Sequence, residues 1–192
     1  MHTLKVLIEL YKIRHEVENT KIIDELLDDK KLIASFDRVI QYGVTDEGKI
    51  EKEDFSKWFI ICLLRTRYLF DKYIIKREYA NDSTDGEWSL KSLYVSGQQS
   101  NKKPYYGNSK FTKPGEWNST NDLRAKKNIM IQSALRVSYT SPKVMHWITR
   151  LLIWLSVGNC RHIENNDITG FDAIAEDIAI EAVKENFFKV CN

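Results

Sequence analysis

An all-α fold, a multi-helix bundle with one long irregular insert at about residues 80–118, is what this sequence predicts, and three observations predict it. Apolar residues recur at three- and four-residue steps through most of the chain, no stretch alternates like a sheet over several strands, and helix caps and breakers fall at helix-length intervals. The chain of 192 residues is long enough to bury a core as a single helical domain. With 43% hydrophobic and 29% charged residues it has the composition of a folded globular protein.

The first helix is expected from Thr3 to His15, with Leu4, Leu7, Ile8, Tyr11 and Ile13 largely at helical spacing. Asn19-Thr20 forms a plausible cap for a second helical stretch over Lys21 to Tyr42, and Gly43 closes it. A polar turn, Thr45 to Gly48, precedes the strongest periodic segment, which opens near Glu51 to Asp54 and runs to about Arg77. It carries Phe55, Trp58, Phe59, Cys62, Leu63, Leu69, Phe70, Tyr73 and Ile74. Acidic residues at its start and Lys72, Lys76 and Arg77 at its end suit the helix dipole, so it is expected to be a central element.

After Tyr79 the texture changes. Asn81 to Gly86 is built of turn formers, Trp88 to Val95 is too short for periodicity to separate strand from helix, and "SGQQSNKKPYYGNSKFTKPGEWN", Ser96 to Asn118, reads as a long loop. Helix resumes at Thr120-Asn121 and runs to about Ser138, with Ile129, Ile131, Leu135 and Val137 as part of a core stripe. Ser141-Pro142 then ends one helix and starts another, because the residue before Pro is driven out of the α region and Pro suits a first turn. That next helix, Lys143 to Ser156, should bury Trp147, Leu151 and Trp154. A last helix is expected from Gly170 to Val190.

Cys62, Cys160 and Cys191 form no C-x-x-C pair, so neither a disulfide framework nor a zinc site is indicated, and a reducing cytoplasm fits. The start lacks the continuous apolar stretch of a signal peptide, and no segment is expected to span a membrane. The net charge of +2 conceals an asymmetry. Gly97 to Arg161 holds eleven Lys and Arg against Glu116 and Asp122, a balance of +9 that leaves −7 for the remainder.

Catalysis would need a nucleophile with its base, a carboxylate pair or converging metal ligands, and no such set is visible. His146 has no recognisable partner and reads as a packing residue. "RHIENND", Arg161 to Asp167, has ligand residue types at poor spacing. "SGQQS", Ser96 to Ser100, does not run into a helix as a phosphate-cradling loop should. No cofactor, metal or catalytic residue is expected, and the isolated chain reads as a non-enzyme.

The basic stretch differs in kind. Lys102, Lys103, Lys110 and Lys113 alternate with Tyr105, Tyr106, Phe111 and Trp117, and Arg124, Lys126 and Lys127 follow on the first turns of a helix. Cations beside exposed aromatics suit phosphate contact with base stacking, which makes Lys102, Lys103, Tyr105, Tyr106, Lys110, Lys113, Trp117, Arg124, Lys126 and Lys127 the candidate nucleic-acid site.

"LLRTRYLFDKYIIKREY" (Leu63 to Tyr79) with "NDLRAKKNIMIQSALRVSYTSPKVMHWITRLLIWL" (Asn121 to Leu155) resembles the helical region of GmrSD-like proteins, bacterial restriction-type proteins with an amino-terminal ParB-like nuclease domain. The similarity covers about Glu51 to Cys191 and rests on helix texture and the Ser-Tyr-Thr-Ser-Pro…His-Trp string. It implies a DNA-defence setting in which this chain is the non-catalytic helical module of a larger protein, with DNA and the parent's nuclease domains as partners. The family's Asp-Gly-Gln-Gln-Arg motif does not carry over, because Gly97-Gln98-Gln99 is flanked by Ser96 and Ser100. Its His-Asn-His segment would lie beyond Asn192. The rival expectation is a structural scaffold that docks nuclease domains through apolar helix faces without touching DNA.

Overall fold

The computed structural model describes residues 1–15, 28–41, 52–78, 87–97, 101–108, 120–139, 141–159 and 170–187. Among them are α1 (His2–Arg14), α2 (Asp29–Ile40), α3 (Lys52–Tyr73), α4 (Thr120–Ser138), α5 (His146–Trp154) and α6 (Phe171–Phe187), and four short strands. The strands are β1 (Lys76–Glu78), β2 (Glu87–Ser89), β3 (Lys91–Ser96) and β4 (Lys103–Asn108). They pair as two antiparallel two-stranded sheets, β1 with β2 and β3 with β4, so the all-α expectation is corrected to a mostly helical chain with two small sheets. Strands β2, β3 and β4 fall inside the predicted irregular insert, residues 80–118, whereas β1 takes Lys76 and Arg77, which were expected to close the helix that ends instead at Tyr73. Within the insert, short runs of strand-forming residues, Leu93-Tyr94-Val95 and Tyr105-Tyr106, gain a hydrogen-bonded partner that local periodicity cannot register. The expected cap at Asn19-Thr20, the stop at Gly43 and the turn from Thr45 to Gly48 lie outside the described residues.

The chain divides into two compact units, residues 1–69 with 139–161, and residues 70–138 with 162–192. In the first unit α1 holds the central place that the sequence pattern assigned to α3. Val6, Leu7, Ile8 and Tyr11 are buried, and α1 packs against both α2 and α5. Burial at the middle of α1 includes Glu9, whose carboxylate lies 3.2 Å from the Lys12 ammonium and 3.7 Å from that of Lys5. A carboxylate removed from water needs such partners. The other side of Tyr11 meets Phe55 and Trp58 of α3 at ring-centroid distances of 5.5 and 4.9 Å, while Phe36 of α2 meets Phe59 at 5.8 Å. Beyond this aromatic contact, Ile60, Ile61 and Leu64 of α3 are exposed.

The Ser141-Pro142 break works locally. The Ser141 hydroxyl oxygen accepts from the Lys143 amide at 3.4 Å, and Pro142–Val144 forms a single 3-10 turn before α5 begins at His146. Trp147, Ile148, Leu151, Leu152 and Leu155 are buried, and a π turn over Leu155–Asn159 follows.

In the second unit α4 packs on α6, and its buried side is polar: Asn128 and Gln132 are both fully inaccessible, with Leu135 beside them. The reason lies at the end of α3. Where that helix gives way to β1, the Tyr73 carbonyl has lost its helical donor. Gln132 supplies one, donating from Nε2 to Tyr73 O at 2.8 Å and accepting at Oε1 from the Ile75 amide at 3.0 Å. Tyr73, Ile74, Ile75, Leu90, Phe171, Ala175, Ile178 and Ala182 fill the surrounding core. Lys76 ties the strands to this frame, donating to the carbonyl oxygen of Asp71 and, at 3.1 Å, to that of Lys91.

Candidate nucleic-acid interface

Four of the ten residues expected to meet nucleic acid lie on the β3–β4 hairpin or at its entrance. The register pairs Leu93 with Tyr106, Tyr94 with Tyr105, Val95 with Pro104 and Ser96 with Lys103. Paired residues of an antiparallel ladder share a face and neighbours alternate. One face therefore carries Tyr94, Tyr105, Ser96 and Lys103; the other carries Leu93, Val95, Pro104 and Tyr106. The strands turn back after Gly97, whose φ of +111° favours glycine; a side chain there would also collide with the Asn101 carbonyl.

Tyr105 is 50% and Tyr106 64% exposed, and Lys102 and Lys103 are exposed beside them. From Lys91 to Asn108 the sequence holds three lysines and no Asp or Glu, so no acidic residue of the hairpin itself offsets them. The aromatic face is built. The Tyr94 hydroxyl donates to the Asn108 carbonyl at 3.1 Å, drawing its ring across β4, and the Tyr94 and Tyr105 rings lie 5.8 Å apart between centroids at 32°. Beneath them is Gly107. A Cβ there would stand 3.2 Å from ring carbons of both tyrosines, so the missing side chain is what lets the rings settle on the strand.

The helical part of the expected site is placed differently. Arg124 donates from Nε to Asp172 of α6 at 3.0 Å, Asn128 donates to the same carboxylate, and Lys127 stands 2.5 Å from Glu176, which raises the ammonium's pKa. Two of the three cations expected at the start of α4 thus face carboxylates of the helix it packs against; Lys126, like Lys127, is exposed. Charge counting along the sequence cannot detect this, because Asp172 and Glu176 lie some fifty residues downstream. Lys110, Lys113 and Trp117 lie outside the described residues, as do Gln98 to Ser100 and Arg161 to Asp167.

His2 and His146 belong to the first unit; burial first, and then nearby positive charge that includes His146, lowers the His2 pKa to about 4. The Cys62 thiol is free, and burial raises its pKa, opposite to what an activated thiolate requires. Among the described residues no group of three or more His, Cys, Asp or Glu could hold a metal ion, and no helix is long and apolar enough to cross a membrane. Compared with protein-family models, curated proteins and solved structures, the chain gives no significant match to any of them.

Proposed function

We propose that this chain is a non-catalytic, mostly helical module of a GmrSD-like DNA-targeting protein and that it contacts DNA through the β3–β4 hairpin. The observation that carries the reading is the hairpin's composition and exposure: Lys102, Lys103, Tyr105 and Tyr106 lie together on a ribbon without a carboxylate. Phosphate neutralisation by lysines supplies sequence-independent affinity, and aromatic faces add stacking. Arg124 and Lys127 serve the packing of α4 on α6 in this reading, which moves the DNA contact from the helix to the hairpin. The test is retention of the purified chain on immobilised DNA at low salt. Wild type is retained and the Lys102→Glu/Lys103→Glu variant is not; equal behaviour of the two removes the hairpin from the reading.

A second reading, a scaffold that docks nuclease domains without DNA contact, draws on a different observation. Leu123, Met130 and Val137 of α4 repeat at seven-residue spacing and are all exposed, the last to 77%. An apolar stripe on a helix surface suits a protein partner. Failure of wild type to bind any DNA, with Met130→Glu abolishing association with the parent's nuclease domain, would favour it.

A further inference from the structure

We infer that the hairpin selects single-stranded nucleic acid, with an unpaired base stacking on the Tyr94–Tyr105 platform and the neighbouring phosphate meeting Lys103. The inference rests on the reading of the hairpin as a DNA contact and gives that contact its substrate class. Three observations point the same way.

The platform is held before any ligand arrives. Tyr94 is fixed at its hydroxyl by Asn108, both rings rest over Gly107, and Tyr105 keeps half its surface open. An aromatic group already immobilised loses little rotamer freedom on binding, so more of the stacking energy appears as affinity. The cation is on the correct side: Lys103 lies two residues before Tyr105, about 7 Å along a strand and on the same face, roughly the stride of one extended nucleotide. Finally, the middle of the paired strands is poorly equipped to read a duplex. A two-stranded ribbon fits the major groove, but base edges there are distinguished by Arg, Lys, Asn, Gln or carboxylates reaching into it. Between the Lys91–Asn108 pair at one end and the Ser96–Lys103 pair at the other, the middle of this ribbon offers Leu93, Val95, Pro104 and three tyrosines, one of whose hydroxyls is already engaged within the hairpin. Stacking needs the flat face of a base, which a duplex keeps covered and a single strand presents.

The test is fluorescence anisotropy with labelled oligothymidylate of about fifteen nucleotides and with a duplex of about the same length, at low salt, on the full chain. Single strand is expected to bind at least about tenfold more tightly than duplex. Removing one stacked base by Tyr105→Leu should weaken oligothymidylate binding by roughly 5- to 150-fold. It should change duplex binding less than twofold, and Tyr105→Phe, which keeps the ring, should restore wild-type affinity. Because Tyr105 is half exposed, both variants are expected to melt with the wild type, which circular dichroism checks. Gly107→Ala provides an independent arm: by crowding the two rings it should weaken single-strand binding with Tyr105 intact. Duplex binding equal to or tighter than single-strand binding, lost on Lys102→Glu/Lys103→Glu and indifferent to Tyr105→Leu, overturns the single-strand inference while leaving the hairpin a DNA contact. Binding of neither probe overturns both.

Discussion

Replacing Gln132 with Leu should damage the second unit far more than its modest change in size suggests. Leu has nearly the volume of Gln, so the substitution opens little cavity; what it removes is the pair of hydrogen bonds to Ile75 N at 3.0 Å and Tyr73 O at 2.8 Å. Both backbone groups belong to buried residues, 5% and 4% exposed, so water does not readily take over. Leaving a buried donor or acceptor unsatisfied costs about 1 to 3 kcal/mol, and two such groups, with some return from burying an apolar side chain, give about 2 to 5 kcal/mol. Because the chain divides into two compact units, a single global unfolding curve is a poor gauge, and the amide of Ile75 is the better probe. Hydrogen exchange at that amide should accelerate by roughly 30-fold to several thousandfold at about 1.4 kcal/mol per tenfold. An unchanged rate would mean that Gln132 does not hold the α3–β1 junction, and that the polar inner side of α4 has some other cause.

Three further perturbations have defined outcomes. Leu151→Ala, at a residue with no exposed surface, should destabilise the first unit by about 2 to 5 kcal/mol, read from hydrogen exchange at the amides of α1 and α5, and exchange rates unchanged from wild type would contradict the α1–α5 core. His2, with its folded pKa lowered to about 4, contributes stability that is fully present above the unfolded value near 6.5 and is lost as pH falls from there through about 4. A loss of about 2 to 3 kcal/mol across that window is expected, and it should be smaller in His2→Phe; identical pH profiles for the two proteins refute the assignment. Gly97→Ala, forced to keep φ at +111° and to clear the Asn101 carbonyl, should unravel the β3–β4 turn, seen as loss of amide protection in Tyr94 and Tyr105 without a change in the helical core.

Much of the helical frame was legible in the residues because its cause is local. The run from His146 to Trp154 shows its buried face in the spacing of Trp147 and Leu151, although Trp154, expected beside them, is only half-buried, and Ser141-Pro142 separates it from the preceding helix through sterics that need no distant partner. Two features were not legible, for related reasons. Val137, expected in the core stripe, is exposed, while Asn128 and Gln132, which no local pattern marks as core, are buried because the end of α3 and Asp172 of α6 are brought against them. The hairpin was hidden because a strand is stabilised by its partner across the ladder, not by its neighbours in sequence, and the six residues of β3 are too few to display a period. The candidate site divides along the same line. The clustering of lysine with tyrosine at residues 102–106 is visible in the sequence, whereas the ion pairs that occupy Arg124 and Lys127 depend on a helix far along the chain.

The proposal that the chain contacts DNA through the hairpin, not through α4, is tested most directly by the salt dependence of DNA affinity in two double variants, Lys102→Ala/Lys103→Ala and Arg124→Ala/Lys127→Ala. Each phosphate contact contributes about −0.7 to the log–log slope for single strands and about −0.9 for duplex. Loss of the two hairpin lysines should therefore flatten the slope by about 1.4 or about 1.8 respectively, while loss of the two α4 cations, already facing Asp172 and Glu176, should leave it within error of wild type. A slope flattened by the α4 pair and untouched by the hairpin pair would put the interface on the helix and contradict the assignment.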